Sequence, residues 1–373
     1  MKVTQDQITA FTLSRQGLLK PFPHQKVTKV VENIGALHSQ ILATAPTQLW
    51  ARVKDFKVND LWNALYHQRT LVRTYAMRGT LHIVPSTRFD TFVSAIGPME
   101  NTWNRIKKEI ENKLDIKDIM RTRRLLVSAF KEKPMMRKEL PKAVKDSSID
   151  KFVSVVRWSL VPKYLNCLGL IVYGEMRGLE IVFHEAEEWL GRKVKLYDSS
   201  KANANLLNIY LKSLGPASLN DYRYWTGLRM SQIQPAHEYL KELLVEVEVD
   251  CKDKPLLLLK RDINDLEKAE IPDGHVRLLP KFDPVILGHA DKSRLLDKKY
   301  HKKVFVGFAD VDATLLIDGQ VAGTWKHEKR GKNLRIIIKP FKKLHSPVKK
   351  KIKELANELS TIFDTHDVIV TFT

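Results

Sequence analysis

A histidine and a glutamine separated by one residue stand at the end of an apolar helix pattern, in the stretch GALHSQILATAP (Gly35 to Pro46). Residues i and i+2 of an α-helix point about 200° apart, so His38 and Gln40 can share a site only if the helix ends before them. A glutamine carbonyl can orient a water molecule, and a neutral imidazole, with an ordinary pKa of about 6.5, can accept its proton. The pair therefore offers a general base and a water-orienting group. The alternative is ordinary hydrogen bonding at a helix end.

The charge of the chain indicates a polyanionic partner. The 373 residues include 63 Lys and Arg against 43 Asp and Glu, a net charge of +20. Such a balance favours nucleic acid or an anionic membrane surface, although a solvated lysine-rich surface is an alternative. No apolar run approaches the roughly 18 residues of a membrane span, and the N-terminal residues lack the apolar core of a signal peptide. We therefore expect a cytoplasmic, nucleoid-associated protein without membrane contact.

A pattern of two helices followed by a β-hairpin recurs three times along the chain. In the middle copy, one helix ends at Pro134, a long helix is predicted over IDKFVSVVRWSLVPKYLNCLG, and LIVYGEMRGLEIVFH forms a hairpin around a turn from Gly174 to Gly178. In the third copy, a helix closes at Gly215, and Ser218 can cap the next helix. In the first copy, LVRTYAMRGTLHIV supplies the hairpin. Helix–turn–helix followed by a hairpin is typical of a winged helix, which places a helix or wing in a DNA groove.

The chain changes character from about Gly274. Short β-rich runs follow, including VFVGFA and ATLLIDGQVAGTW, with Asp318 and Gly319 predicted as a hairpin turn. A basic helix and a last strand end the chain. The sequence predicts an α+β protein with winged-helix units at 1–118, 119–190 and 191–273. At 274–373 it predicts a small closed or half-closed sheet covered by one helix.

Five stretches in the same order resemble the winged-helix DNA glycosylases of the AlkZ and YcaQ type. They are LHSQ, YAMRGTLHIVP, GPASLNDYRYWTGL, LLPKFDPVILGHADKSRLL and LLIDGQVAGTWK, which span nearly the whole chain. The resemblance implies three tandem winged helices and a C-terminal β-barrel wrapped around duplex DNA. It also implies hydrolysis of the N-glycosidic bond of alkylated purines, and, in the AlkZ branch, of crosslinked ones.

The family's catalytic signature is Gln, an apolar residue, then Gln or Asp, and it falls on His38, Ser39 and Gln40. Gln40 matches, whereas His38 and Ser39 depart from the commoner residues in a variant that occurs among AlkZ-like proteins. The resemblance therefore implies that His38 and Gln40 are catalytic and that Ser39 supports them. The predicted activity is that of a monomeric, monofunctional glycosylase acting on N7-alkylguanine or N3-alkyladenine, bulky or crosslinked adducts included.

Further residues are candidates for DNA contact or for support of the site. Strand alternation predicts that Arg78, Thr80 and His82 share one face of the first wing, as phosphate or lesion contacts or as a merely exposed face. Asp283, between Phe282 and Pro284, is predicted to turn the chain or to support the site, with catalysis the lesser alternative. Tyr222 and Trp225 are predicted core residues. Basic residues predicted to contact the DNA backbone are Arg335, Lys339, Lys349 and Lys350.

Other classes of protein find little support in the sequence. Neither GxxxxGK[ST] nor GxGxxG opens a helix after a strand, and no HExxH or other metal-ligand spacing is present. We therefore expect no cofactor and a metal-independent reaction.

Cys167 and Cys251 are far apart, which excludes a CxxC site and fits a reducing cytosol. Gly35 to Trp50 contains no lysine that could act as a lyase nucleophile. The alternative function is a non-catalytic winged-helix DNA-binding protein or transcriptional regulator.

Overall fold

The fold described below comes from a computed structural model, which describes residues 1–24, 26–97, 108–250, 253–307 and 310–373. Cys251 and the last two residues of the predicted strand VFVGFA lie outside the described residues.

Helices of very different length alternate with short strands along the chain. The main α-helices are α1 (Gln5–Arg15), α2 (Val27–Ile34), α3 (Ala45–Trp50), α4 (Val58–Trp62), α5 (Phe89–Ile96), α6 (Ile116–Glu132), α7 (Leu140–Ala143), α8 (Ser147–Val156), α9 (Val161–Cys167), α10 (Ala186–Leu190), α11 (Ser199–Leu214), α12 (Leu219–Thr226), α13 (Met230–Leu240), α14 (Ile263–Glu267), α15 (Pro284–Leu287), α16 (His301–Val304) and α17 (Ser346–Phe363).

The strands are mostly short. They are β1 (Lys2–Val3), β2 (Leu37–His38), β3 (Leu71–Tyr75), β4 (Leu81–Pro85), β5 (Met135–Met136), β6 (Ile171–Arg177), β7 (Glu180–Glu185), β8 (Leu244–Val249), β9 (Leu256–Leu259), β10 (Val276–Leu279), β11 (Phe305–Val306), β12 (Asp310–Val311), β13 (Ala313–Ile317), β14 (Gln320–Arg330), β15 (Asn333–Pro340) and β16 (Asp367–Phe372). The mixture of both element types confirms the predicted α+β class.

Contacts within the chain group it into two compact units. The first consists of Met1–Leu61, Asn208–Trp225 and Leu240–Thr373, and the second of Trp62–Leu207 and Thr226–Tyr239. Each unit thus draws on segments that are distant in sequence. The division into four consecutive domains at 1–118, 119–190, 191–273 and 274–373 stays a prediction.

The largest sheet of the first unit has the strand order β10-β13-β14-β15-β16, in which β16 joins β15 in parallel. The buried residues of α17, Ile352, Ala356 and Leu359, pack in one core with those of the sheet. Among the described residues this sheet is open, because β10 and β16 form its two edges. A closed β-barrel, which the family resemblance implies, is therefore not found there. The hairpin turn at Asp318 and Gly319 is confirmed, with φ values of 47° and 76°.

A three-stranded sheet, in the order β1-β8-β9, also belongs to the first unit. β8 and β9 pair antiparallel, which confirms the hairpin predicted for the third copy of the repeat. The cap predicted at Ser218 in this copy is also confirmed: Ser218 and Asp221 each accept a hydrogen bond from the other's backbone amide at the start of α12. Tyr222 and Trp225 are buried, which confirms them as core residues.

In the second unit, β4, β3, β6, β7 and β5 lie side by side in that order. The antiparallel pairs β3–β4 and β6–β7 confirm the hairpins predicted for the first and middle copies. The turn between β6 and β7 lies at Gly178 and Leu179, whereas Gly174 lies inside β6. A Cβ at Gly174 would lie 2.5 Å from the His184 ring, so this glycine permits close packing rather than a turn. The assignment of each copy as a winged helix stays a prediction.

The long helix predicted in the middle copy is wrong. The structure has two helices, α8 and α9, because Arg157 adopts a φ of 63° directly after α8. Pro162, in the first turn of α9, lacks the amide proton that a continuous helix would need there. Apolar spacing continues across this break, so periodicity alone predicts one helix although Pro162 is a signal for a helix boundary. Among the described helices, none has the length and apolarity needed to cross a membrane.

Candidate functional site

The residues of the His-x-Gln pair follow the end of α2. Gly35 ends that helix with a φ of 92°, and a Cβ there would lie 3.0 Å from Ser213 Oγ. The chain continues in extended form through β2, so His38 and Gln40 lie on non-helical backbone, as expected. His38 and Ser39 are buried, whereas Gln40 is exposed. The pair thus combines a held imidazole with an amide that faces solvent.

The imidazole of His38 stacks on the ring of Phe282. The ring centroids are 4.8 Å apart, and the ring planes differ by 24°. Phe282 has a φ of 59°, a left-handed conformation that is rare for a bulky residue and costs free energy. The next residue, Asp283, caps α15 by accepting a hydrogen bond from Val285 N at 3.0 Å.

The backbone of His38 is held by a buried glutamine on α3. Gln48 donates from Nε2 to the carbonyl oxygen of His38 at 2.8 Å and to Thr44 Oγ1 at 3.2 Å. Because Gln48 is fully buried, these contacts satisfy both amide protons away from competing water. The carbonyl at the centre of the candidate site is therefore attached to the helix that follows it.

A buried ion pair joins the segment just after α3 to the segment that carries Phe282. Arg52 donates from Nη1 to Asp283 Oδ2 at 2.8 Å and from Nη2 to Asp283 Oδ1 at 2.7 Å, and both side chains have no solvent exposure. Arg52 Nη1 also donates to the backbone oxygen of Gln48 at 3.0 Å. A planar guanidinium suits such a two-pronged contact. Asp283 thus binds Arg52, which holds the backbone near His38. A role of Asp283 in catalysis or in support of the site stays a prediction.

Gln16 connects the same arginine to the end of α2. Its Oε1 accepts from Arg52 Nη2 at 3.4 Å, and its Nε2 donates to Ile34 O at 3.3 Å and to Ser213 O at 2.8 Å. These contacts satisfy a carbonyl in the last turn of α2, which has no helical partner of its own. The chain is therefore fixed both before and after the His-x-Gln turn.

The segment that follows α15 is anchored by a second polar cluster. Arg294 donates to Pro216 O at 2.7 Å and to Thr12 Oγ1 at 2.9 Å, and His289 Nε2 lies 2.8 Å from Leu214 O. Burial lowers the pKa of His289 to about 3, and the Arg294 guanidinium acts in the same direction. His289 is therefore neutral at physiological pH. Its role is to hold the segment rather than to carry charge.

The predicted common face of Arg78, Thr80 and His82 is wrong. β4 begins only at Leu81, and Arg78 lies in the turn before it with a φ of 55°. His82 is buried, and its Nδ1 lies 3.0 Å from Thr80 O. Strand alternation does not extend through a turn, so the three side chains do not line one exposed strand face. Their contact with DNA stays a prediction.

The predicted backbone-binding residues lie in the first unit. Arg335 and Lys339 are exposed and four residues apart on β15, which places them on one face of the sheet. Lys350 is exposed on α17, and Lys349 Nζ lies 5.4 Å from the Phe372 ring centroid. Within the described parts of the chain, no group of three or more His, Cys, Asp or Glu side chains could hold a metal ion.

Sequence analysis missed four supporting residues: Gln48, Arg52, Gln16 and the ring of Phe282. A signal for the first two was present, because they are polar, four residues apart and surrounded by apolar residues in APTQLWARV. That spacing predicts neighbours on one buried helix face. The partner of Arg52, however, is 231 residues away in sequence, and no local pattern links the two.

Comparison with known proteins gives one consistent result. The family model described as DNA glycosylase AlkZ-like matches residues 31–362. A relative from Streptomyces sahachiroi, described as an interstrand DNA cross-link repair glycosylase, is 23% identical over 381 residues, which covers 96% of each chain. The solved structure of Streptomyces sahachiroi DNA glycosylase AlkZ is similar over 100% of both chains, with a TM-score of 0.85 and 20% identity. At that identity the structural likeness establishes the fold alone.

Proposed function

Since the chain belongs to the family of AlkZ-like DNA glycosylases, we propose that it hydrolyses the N-glycosidic bond of alkylated purines in duplex DNA. Family membership gives the class of activity, a hydrolase acting on N-glycosyl bonds in DNA repair. The proposed substrates are N7-alkylguanine and N3-alkyladenine, bulky and crosslinked adducts included. The relative named for interstrand cross-link repair supports the inclusion of crosslinked adducts.

The proposed chemistry follows from the charge of the substrate. Alkylation at N7 leaves the purine positively charged, so the base can depart with the electrons of the glycosidic bond and become neutral. The enzyme then has to position a water molecule against the electron-poor sugar carbon. In our proposal His38 accepts a proton from this water while Gln40 orients it, and the water oxygen forms the new bond to the sugar.

The observation that carries this proposal is the end of α2 at Gly35. It gives His38 and Gln40 non-helical backbone, which removes the geometric objection to a shared site. Stacking on Phe282 restricts the His38 ring, and a restricted base loses less freedom when substrate binds. The exposed amide of Gln40 can be reached by a DNA substrate.

The remaining parts of the proposal concern the mode of action. We propose a monomer that needs neither metal nor cofactor and that leaves an abasic site in an intact strand. Contacts to DNA phosphates are assigned to Arg335, Lys339, Lys349 and Lys350, whose charge favours a polyanion.

The experiment that tests this function uses a duplex with a single N7-methylguanine. We expect release of the methylated base and strand cleavage at that position only after alkali treatment, with the undamaged duplex as control. Activity should persist after exhaustive treatment with EDTA. Absence of base release from both N7-methylguanine and N3-methyladenine would contradict the proposed substrates. Loss of activity with EDTA that magnesium restores would contradict metal independence.

A further inference from the structure

We propose that Gln48, Arg52 and Asp283 are positioning residues that fix both the backbone and the ring of His38. The inference rests on the proposed function for its catalytic consequence, and on geometry alone for its structural part. None of the three side chains is exposed, so their action on substrate passes through His38.

The backbone arm of this arrangement runs through α3. Gln48 holds the His38 carbonyl at 2.8 Å, and Arg52 holds the Gln48 carbonyl at 3.0 Å. The His38 carbonyl is thus held by a residue of α3, and that residue's own carbonyl is held by Arg52, which lies two residues beyond the end of the helix. Displacement of Arg52 would release a carbonyl at the end of α3 and, with it, the residue that holds His38.

The ring arm runs through the segment around α15. Asp283 accepts one hydrogen bond from each terminal nitrogen of the Arg52 guanidinium and also caps α15. Its neighbour Phe282, at a φ of 59°, presents the ring on which His38 stacks. A strained backbone persists only where its surroundings enforce it, and the Arg52–Asp283 pair supplies that constraint.

Both sets of contacts depend on the Arg52–Asp283 ion pair. A role in positioning His38 and a role in stabilising the fold predict different results when this pair is replaced. A pair that served only the fold could be replaced by neutral residues of similar size without a loss of rate. A positioning pair could not, because small displacements of a reacting group reduce the rate strongly even in a well-folded protein.

The first test replaces Gln48 with methionine, which keeps the volume and removes both amide donors. Hydrogen exchange measured by mass spectrometry should be faster in peptides that cover residues 35–41 and unchanged in those that cover β13 to β15. Base release under single-turnover conditions should fall about tenfold or more, with the dissociation constant for the duplex changed less than about twofold. Unchanged exchange and unchanged rate would overturn the proposal.

The second test uses the double variant Arg52→Met/Asp283→Asn, which removes both charges and keeps an acceptor to cap α15. Each single variant should lower the melting temperature more than the double variant does, since each leaves a buried charge without its partner. The double variant should still release base at least about tenfold more slowly than the wild type. A double variant with wild-type rate would show that the pair is only structural and would overturn the proposal.

A matched control and an independent readout complete the design. In the second unit, Arg192 Nη1 donates to both carboxylate oxygens of Asp90, at 3.0 and 2.9 Å. Replacement of this ion pair by Arg192→Met/Asp90→Asn should leave the rate of base release unchanged. If the wild type released no base from any alkylated duplex, the proposed function would fail. The hydrogen-exchange result would still decide whether Gln48 fixes the turn.

Discussion

At the scale of single residues, one lysine comes close to the proposed site. Lys281 Nζ lies 5.9 Å from the Phe282 ring centroid, although Gly35 to Trp50 contains no lysine. Its ammonium lies 2.7 Å from Asp310 Oδ2 and 3.7 Å from Asp312 Oδ1. A lyase-type glycosylase needs an amine that is free to attack the sugar, whereas the Lys281 amine is bound by two carboxylates.

We therefore expect that borohydride added during turnover traps no covalent protein–DNA species. The strand should remain intact until alkali or an abasic endonuclease cleaves it. Denaturing gels with a labelled duplex would check both points, with a known lyase-type glycosylase as positive control. If a covalent species were trapped with the wild type but not with Lys281→Met, the attacking group would be an amine rather than water. This result would contradict the roles given to His38 and Gln40.

Some features of the site's single residues could be predicted from the sequence and others could not. The non-helical position of His38 and Gln40 could be predicted, because Gly35 is a local signal for a helix end. The aromatic partner of His38 could not be predicted. Stacking on Phe282 depends on a positive φ at a bulky residue, for which side-chain type gives no indication.

At the scale of elements, the segment from β10 to Leu296 holds the site from one side through Asp283 and is anchored through His289. Burial lowers the pKa of His289 to about 3, whereas a histidine in an unfolded chain titrates at about 6.5. Between these two pH values the unfolded chain binds a proton that the folded chain excludes. The free energy of unfolding therefore falls as the pH drops through this window.

We expect His289→Gln to weaken this pH dependence. Between pH 6 and 5, the wild type should lose on the order of 1 kcal/mol more of its free energy of unfolding than the variant does. Urea unfolding at pH 7, 6 and 5 would measure the difference. Other buried histidines, such as His275, are present in both proteins, so they cancel in the comparison. Equal pH dependence in both would contradict a neutral, buried His289.

Elements with local signals were predictable, and those that depend on distant partners were not. The hairpin at Asp318 and Gly319 and the cap at Ser218 follow from turn and capping preferences. The break near Arg157 does have a local signal, Pro162, but the apolar spacing continues across the break and favours a single helix. Arg78, Thr80 and His82 were assigned to one strand face because alternation cannot tell a strand from the turn before it.

At the scale of the whole molecule, the net charge of +20 predicts DNA affinity that depends steeply on salt. The logarithm of the binding constant should fall with the logarithm of salt concentration by about 0.9 for each phosphate neutralised. The double variant Lys349→Gln/Lys350→Gln should flatten this slope by up to about 2 and leave the preference for damaged over undamaged duplex unchanged.

Fluorescence anisotropy over a range of salt concentrations would measure these slopes. A matched control is Lys2→Gln/Lys254→Gln, which removes two lysines that lie near acidic residues. Lys2 Nζ lies 3.8 Å from Glu248 Oε2, and Lys254 directly follows Asp253 in the sequence. This control should leave the slope close to that of the wild type. A binding constant insensitive to salt would mean that the charge serves a partner other than DNA.

The arrangement of whole units lies beyond sequence patterns. Sequence spacing divides the chain into consecutive segments, whereas each observed unit gathers segments that are far apart in the chain. The C-terminal strands were correctly identified as β-structure, but their assembly as an open sheet depends on β16, which pairs in parallel with β15. Parallel pairing needs a long connection, and α17 provides it.

The central claim is that His38 and Gln40 activate water for hydrolysis of the glycosidic bond. Its most direct test is the single-turnover rate of N7-methylguanine release by His38→Ala, Gln40→Ala and the double variant, measured together with duplex affinity. We expect each substitution to lower the rate by about a hundredfold or more, since general-base assistance is lost. Affinity should remain nearly unchanged, because phosphate contacts supply most of it. A double variant that releases the base at the wild-type rate would contradict the claim.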